Sequence, residues 1–406
     1  MRVDVIAPIS LPRLLWRSFI VVLAAIVPLL CLSAVHAATI TSNTQKIASS
    51  NRARPLVLNT LRLTGMIETG DADKLREALA RFPASIAATP DAPLTLIELS
   101  SMGGSVTEGL EIGTLLRKFH VIAVVRKQDF CLSACALAFL GGNVHHVPST
   151  FPDECNVEIG GKVAFHNFFL NRNGLRAVTS EDPVASRLQG FNDARGGAAL
   201  LIKYAGEMGL QPNFVASIVG RPVEDFQYID TVALFLSLHV CPLGVDRPSV
   251  ALAVQANNIC SHSTGWLDPS LPLEARLIPP KQAKLYLLER VQKNMQTVKT
   301  KGRLADQLAS YAVMRVNEEI DRLYEDLRGA GVALPDILGP TFEIGRFRAN
   351  NYETVCYVSL SAENPDSFDV AVQGPKGLSQ PLQSPPENCR RLFLFDRNDV
   401  INPRPG

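Results

Sequence analysis

Alternation of apolar strand segments with amphipathic helical ones over residues 55–245 predicts an α/β fold organised on a parallel sheet. Two observations carry that expectation. Leu94-Thr95-Leu96-Ile97-Glu98-Leu99 and Val121-Ile122-Ala123-Val124-Val125 are short, nearly continuous apolar runs, as expected of strands covered on both faces. Each is followed by a segment whose apolar residues recur at helical spacing. A third observation concerns the end of the chain, where residues 342–395 alternate in period two, as in Val355-Cys356-Tyr357-Val358, and predict a small antiparallel β unit.

The elements follow in order. Residues 38–54 are polar and read as a flexible leader, and residues 56–63 as the first strand. Asp71 is expected to cap a helix that buries Leu75, Ala78, Leu79 and Phe82. After the strand at 94–99, Ser105-Val106-Thr107-Glu108 has the capping-box pattern and opens a helix with Leu110, Leu115, Leu116 and Phe119. Residues 132–140 read as a buried helix, 163–165 as a strand, and 180–209, 214–219 and 231–238 as helices. Pro248, Pro269, Pro272, Pro279 and Pro280 mark residues 246–280 as an irregular linker. The C-terminal domain, residues 281–406, then begins with an amphipathic stretch interrupted near Gly302. Leu304, Leu308, Ala312, Val316, Ile320, Leu323 and Leu327 share one face there, which reads as packing surface.

Composition narrows the function classes. The chain has 406 residues, 47% hydrophobic and 19% charged, with a formal net charge of +1, so there is no electrostatic footprint for nucleic acid. Arg2, Arg13 and Arg17 precede an apolar run at 19–32 that closes on Val35-His36-Ala37, the layout of a secretory signal peptide over residues 1–37. Cleavage leaves an exported, periplasmic protein with no membrane span; retention would leave the same protein anchored by its N-terminal segment. Seven of the eight cysteines survive cleavage, in a compartment that permits disulfides. Cys131 and Cys135, at i and i+4, are expected to seek partners elsewhere, with Cys155 the nearest. Cys241 with Cys260, and Cys356 with Cys389, are the expected local pairs. No metal site is expected, because adjacent His145 and His146 in a strand face opposite ways.

Three segments carry chemistry. Ser101-Met102-Gly103-Gly104-Ser105 lies between a buried strand and a capped helix, where two glycines permit a tight turn and leave an N–H available to an anion. Cys131-Leu132-Ser133-Ala134-Cys135-Ala136-Leu137 places a serine at the head of a buried helix. Ala164-Phe165-His166-Asn167-Phe168 ends a strand in a histidine.

Together, over about residues 55–240, these segments resemble the Clp-type serine peptidase group of the crotonase-like superfamily. The resemblance implies a ββα-superhelix domain followed by a helical segment and the small β unit. It also implies Ser133 as nucleophile, His166 as general base, and the N–H groups of Gly104 and Ala134 as oxyanion donors. No cofactor is implied; the partners implied are a polypeptide substrate or an envelope protein, and self-association through the helix near 180–210. Met102 stands where the family usually has proline, and thirty-three positions separate Ser133 from His166, longer than the family pattern, the excess falling in residues 148–161 around Cys155. The triad acid is expected after the long helix, where this chain is apolar or glycine; Asp225, near Glu224 and Asp230, is the nearest candidate.

Three functions fit these residues: a serine peptidase, a non-enzymatic Clp-like binding module, and an acyl-thioester enzyme that uses only the oxyanion hole. Export disfavours the last, whose acyl-CoA substrates are cytosolic.

Overall fold

The computed structural model describes residues 37–47, 55–82, 93–143, 155–167, 183–222, 224–265, 274–298, 317–349, 352–364, 366–374, 377–379, 381–385 and 387–405. In chain order the first region contains β1 (Thr39–Ile47), β2 (Leu56–Thr64), α1 (Asp71–Ala80), β3 (Leu94–Ser100), α2 (Val106–Lys118), β4 (Val121–Val125), β5 (Phe130–Leu132) and α3 (Ala134–Phe139). It continues with β6 (Cys155–Glu158), β7 (Lys162–Phe165), α4 (Pro183–Met208), α5 (Pro212–Val219), β8 (Gln227–Tyr228), α6 (Val232–Ser237) and β9 (Val240–Leu243). The chain is mixed α/β, with several sheets and helices.

The main sheet has the order β1-β2-β3-β4-β6-β9 and is parallel from β2 to β9, with β1 antiparallel at one edge. β4 is buried at every residue, as expected of a strand covered on both faces. A second sheet, β5-β7-β8, pairs β5 with β7 in parallel and β7 with β8 antiparallel. An isolated parallel bridge between Ser101 and Cys131 joins the two sheets. Leu75, Leu79, Ile112, Leu116, Phe139 and Phe165 pack in the core between these layers. Each such side chain contributes roughly 1.5–3 kcal/mol by leaving water.

Several sequence expectations change here. Residues 38–54 include a strand, β1, not only a leader; it is polar because it is an exposed edge strand that sets only Ile40 against the core. Asp71 does not cap α1, whose N-cap is Gly70 in a left-handed turn at φ 95°. The Asp71 carboxylate, fully buried, instead accepts from the backbone N–H of Glu68 (2.8 Å) and Ala38 (3.3 Å) and pairs with Lys74 (2.7 Å), so it fastens the turn before the helix. Residues 155–158 of the expected insertion are β6, a strand of the main sheet between β4 and β9. The expected helix at 132–140 begins only at Ala134, since Leu132 ends β5. His145 and His146 lie outside the described residues, as does the expected signal segment before Ala37.

The C-terminal region contains α7 (Leu252–Ser263), β10 (Glu274–Ile278), α8 (Pro280–Val298), α9 (Asn317–Gly329), β11 (Thr341–Ala349), β12 (Tyr352–Leu360), β13 (Phe368–Gly374), β14 (Gly377–Ser379) and a 3-10 helix (Glu387–Leu394). Among the described residues its five strands form one antiparallel sheet in chain order, as the period-two pattern predicts. Ile320 and Leu327 are buried and Leu323 partly so; Leu304, Leu308, Ala312 and Val316 lie outside the described residues.

The irregular linker expected at 246–280 is overturned by α7, which packs Ala256, Ile259 and Cys260 into the core of the C-terminal sheet. Its other buried residues are polar, and three of them reach backbone carbonyls. Asn258 Nδ2 donates to Leu394 (2.9 Å), Gln255 Nε2 to Val250 (2.8 Å), and His262 Nε2 to Phe395 (2.9 Å). Ala253, Ala256, Ile259 and Cys260 keep helical spacing, but they are small apart from Ile259 and stand among buried polar residues, which masks the period.

Three cysteine pairs lie at disulfide distance: Cys131–Cys135, Cys241–Cys389 and Cys260–Cys356, with Cα separations of 5.0, 5.3 and 6.0 Å. All three differ from the expected pairing. Cys155 is buried under α3, its thiol donating to the Phe139 carbonyl at 3.2 Å. Residues beyond the 3-10 helix return to the first region. Thr231 bridges Val400, the N–H groups of Ile401 and Asn402 donate to the Asp230 carbonyl (3.0 and 3.2 Å), and Arg404 Nε pairs with the buried Asp230 carboxylate at 2.6 Å.

Candidate active site

β3 ends at Ser100, and the next four residues thread between two partners. Ser101 N–H donates to the Phe130 carbonyl (2.7 Å), and Leu132 N–H returns to the Ser101 carbonyl (3.0 Å). Ile67 N–H donates to the Gly103 carbonyl and Ser105 N–H to the Ile67 carbonyl, both at 2.8 Å. That pair of bonds brackets Gly104, so its own N–H faces away from residue 67, as ladder geometry requires. Gly103 and Gly104 adopt φ of 100° and 137°, which L side chains rarely enter. A Cβ at Gly103 would also stand 2.7 Å from the Ser133 Cβ, and one at Gly104 would overlap the Ile67 carbonyl. The two glycines are what let this turn lie against the serine.

Ser133 sits between β5 and α3 at φ 56° and ψ −122°, a conformation that costs a non-glycine residue on the order of 1–3 kcal/mol. Both of its backbone groups are engaged: N–H donates to the Ala164 carbonyl (2.9 Å), and the carbonyl accepts from Leu137 N–H (3.2 Å). Ser133 is half-buried, whereas Ala134 through Leu140 are buried. α3 is pressed against α2, where a Cβ at Gly109 would strike the Ala134 carbonyl. Tyr204 of α4 donates its hydroxyl to the Leu137 carbonyl at 2.7 Å, and burial pushes that phenol well above its ordinary range. The elbow is thus held from the strand side, the helix side and above.

β7 brings in the histidine. Leu132 and Ala164 are partners in the β5–β7 register, so Ser133 continues alongside the end of β7, and His166 lies two residues beyond Ala164. The imidazole is buried at 7% exposure and packs on Phe226 with ring centroids 4.5 Å apart. Phe165, the preceding residue, turns to the other face, edge-on to Phe214 at 5.0 Å. The topology therefore gathers the Gly104 turn, Ser133, the start of α3 at Ala134 and His166 around the junction of the two sheets.

The structure binds the sequence candidate for the acid elsewhere. Asp225 is half-exposed, and its Oδ2 accepts from Arg221 at 2.6 Å. Asp230 is occupied by Arg404. What the sequence could not suggest is the left-handed Ser133 backbone, for which an L-serine has no signature.

No family model matches the chain, and no curated protein matches it. Among solved structures it is similar to a point mutant of the 1510-N membrane-bound stomatin-specific protease, at 15% identity, covering 40% of this chain and 68% of that one, with a TM-score of 0.27. Cavities of about 730 and 560 Å³ lie where the first region meets the C-terminal one, and neither is lined by Ser133 or His166. Among the described residues no group of three His, Cys, Asp or Glu could hold a metal ion, and no helix is long and apolar enough to cross a membrane.

Proposed function

We propose that the chain is an exported, periplasmic Clp-like serine hydrolase of the peptidase type, built on a ββα-superhelix domain. Ser133 Oγ attacks the acyl carbon of a polypeptide, His166 takes its proton, and the N–H groups of Gly104 and Ala134 receive the oxyanion. The protonated imidazole then returns its proton to the leaving amine, and water repeats the sequence on the acyl-enzyme.

The observation that carries this reading is the backbone of Ser133. A structural serine at a helix start has β-region dihedrals and accepts a bond from the first turn. Ser133 has positive φ and makes no side-chain cap bond, so strain is retained where it presents a hydroxyl. The bond between Arg221 and Asp225 favours a second reading, a Clp-like envelope binding module with weak or no turnover, since a triad without its acid loses about four orders of magnitude.

Labelling by a fluorophosphonate probe tests the choice. The oxidised full chain is expected to label at one site, Ser133→Ala to lose all label, and His166→Ala to label about a hundredfold or more slowly. Equal labelling of wild type and Ser133→Ala overturns the hydrolase.

A further inference from the structure

Two cysteines frame the turn that carries Ser133, and the hydrolysis described above makes no use of them. Cys131 lies in β5 and Cys135 in the first turn of α3; both are fully buried, and their sulfurs are joined across a Cα separation of 5.0 Å. Within that ring stand only Leu132, Ser133 and Ala134: the proposed nucleophile, one proposed oxyanion donor and one core residue.

A bridge stabilises a fold by restricting the unfolded chain, and that effect grows with the loop closed. The separations here are 4, 96 and 148 residues, so the bridge at Ser133 contributes least of the three to overall stability. Its effect falls on the folded turn. With the end of β5 and the start of α3 tied together, the dihedrals between them are restricted, and the ring holds Ser133 in its positive-φ conformation while it stays shut. His120 and His239, the other non-glycine residues with positive φ among those described, have no such enclosure.

We propose that the Cys131–Cys135 disulfide is a redox latch on the nucleophile: the bridged chain is the reactive form and the dithiol form is not. The proposal rests on the hydrolase reading above. A dithiol reductant opens the latch by exchange. One of its thiolates attacks a bridge sulfur, forming a mixed disulfide and expelling the other cysteine as thiolate. The second thiolate of the reductant then displaces the first cysteine. The protein ends with two thiols, having taken up two protons and two electrons, and the reductant leaves as its own disulfide. A disulfide oxidant closes the latch by the reverse steps. Because both cysteines are buried, exchange requires local opening, and the bridge persists once made. Such a chain is inactive while its thiols are reduced and becomes active on entering an oxidising compartment.

The test compares the oxidised full chain with Cys131→Ala/Cys135→Ala and with Ser133→Ala, reading fluorophosphonate labelling rate, thermal midpoint and amide hydrogen exchange across residues 130–137. The double variant is expected to lower the midpoint by only several degrees, to label about a hundredfold more slowly, and to exchange the Ser133 and Ala134 amides faster. Wild-type chain partly reduced with dithiothreitol, its open bridge identified by alkylation mapping, is expected to lose labelling in the fraction with Cys131–Cys135 open and the two long bridges shut, and to regain it on reoxidation, which keeps the test open if the double variant folds poorly. Labelling of the double variant at the wild-type rate overturns the latch. If wild type labels no better than Ser133→Ala, the hydrolase reading fails and the activity switch with it. Unchanged exchange at residues 133 and 134 separately overturns the mechanical part.

Discussion

The parallel region around Ser133 and the C-terminal antiparallel region use the same covalent bond at opposite ranges. Cys131–Cys135 closes a turn, while Cys241–Cys389 fastens β9 to the C-terminal 3-10 helix and Cys260–Cys356 fastens α7 to β12. In the chain-entropy account the short ring contributes roughly 2 kcal/mol and each long one roughly 5. Polar burial differs as well. The core around α3 is apolar and closely approached, whereas α7 enters its core through Gln255, Asn258 and His262 bonded to carbonyls. The first region therefore invests in the geometry of one turn, and the second in holding distant segments together.

Breaking the long bridge is expected to have the largest effect. Cys241→Ala/Cys389→Ala should lower unfolding free energy by about 4–5 kcal/mol in denaturant titration while leaving the labelling rate of folded Ser133 unchanged. A slower folded-state label would show that the two regions do not divide these roles.

Acid comes next. Burial pushes His262 down to about 4, chiefly by desolvation, while its bond to the Phe395 carbonyl raises it. The unfolded histidine, near 6.5, thus binds a proton where the folded one does not. Its stabilising effect is complete above pH 6.5 and is lost as pH falls towards 4, on the order of 3 kcal/mol. The loss of stability between pH 6.5 and 4 should shrink in His262→Gln, measured by unfolding at each pH.

Tyr204→Phe leaves the Leu137 carbonyl without its hydroxyl and should cost about 1–2 kcal/mol. Because that bond bears on α3, a drop in the labelling rate should accompany it, unlike the Cys241 variant. The smallest effect is expected of Asp225→Asn. Its pair with Arg221 is half-exposed, so stability should move by less than about 1 kcal/mol and labelling should not change. A large loss of labelling would return Asp225 to the proton relay.

Legibility in the sequence follows the same division. β3, β4 and α2 are readable because one property, apolar periodicity, also decides their burial. The Ser105 cap of α2 forms as the motif predicts, its Oγ accepting from Glu108 N–H at 3.4 Å. Yet Glu108 does not close the box; its carboxylate accepts from Ala72 N–H at 3.0 Å and serves the neighbouring helix α1. β1 was hidden because an exposed edge strand looks like a leader, and α7 because its few apolar core residues stand among buried polar ones. Ser133, His166 and the paired glycines were legible as residue types in order, but their approach depends on the β5–β7 register and the Ser101–Cys131 bridge, which no local pattern encodes. The disulfides were misread for the same reason: proximity in sequence suggested Cys241 with Cys260, while the fold sets each against a cysteine from the C-terminal sheet or its 3-10 helix.

The return of residues 400–404 to Asp230 has a kinetic meaning. Arg404 and Asp230 are 174 positions apart, and the contacts flanking that pair set the tail against the residues after β8 and, through Asn402, those before β7, the strand that leads to His166. A ribosome making this chain emits β5, β7 and β8 long before the tail that packs beside them. Closing so long a loop is slow, so the His166 sheet is expected to mature late, after the C-terminal sheet has formed and can deliver the tail.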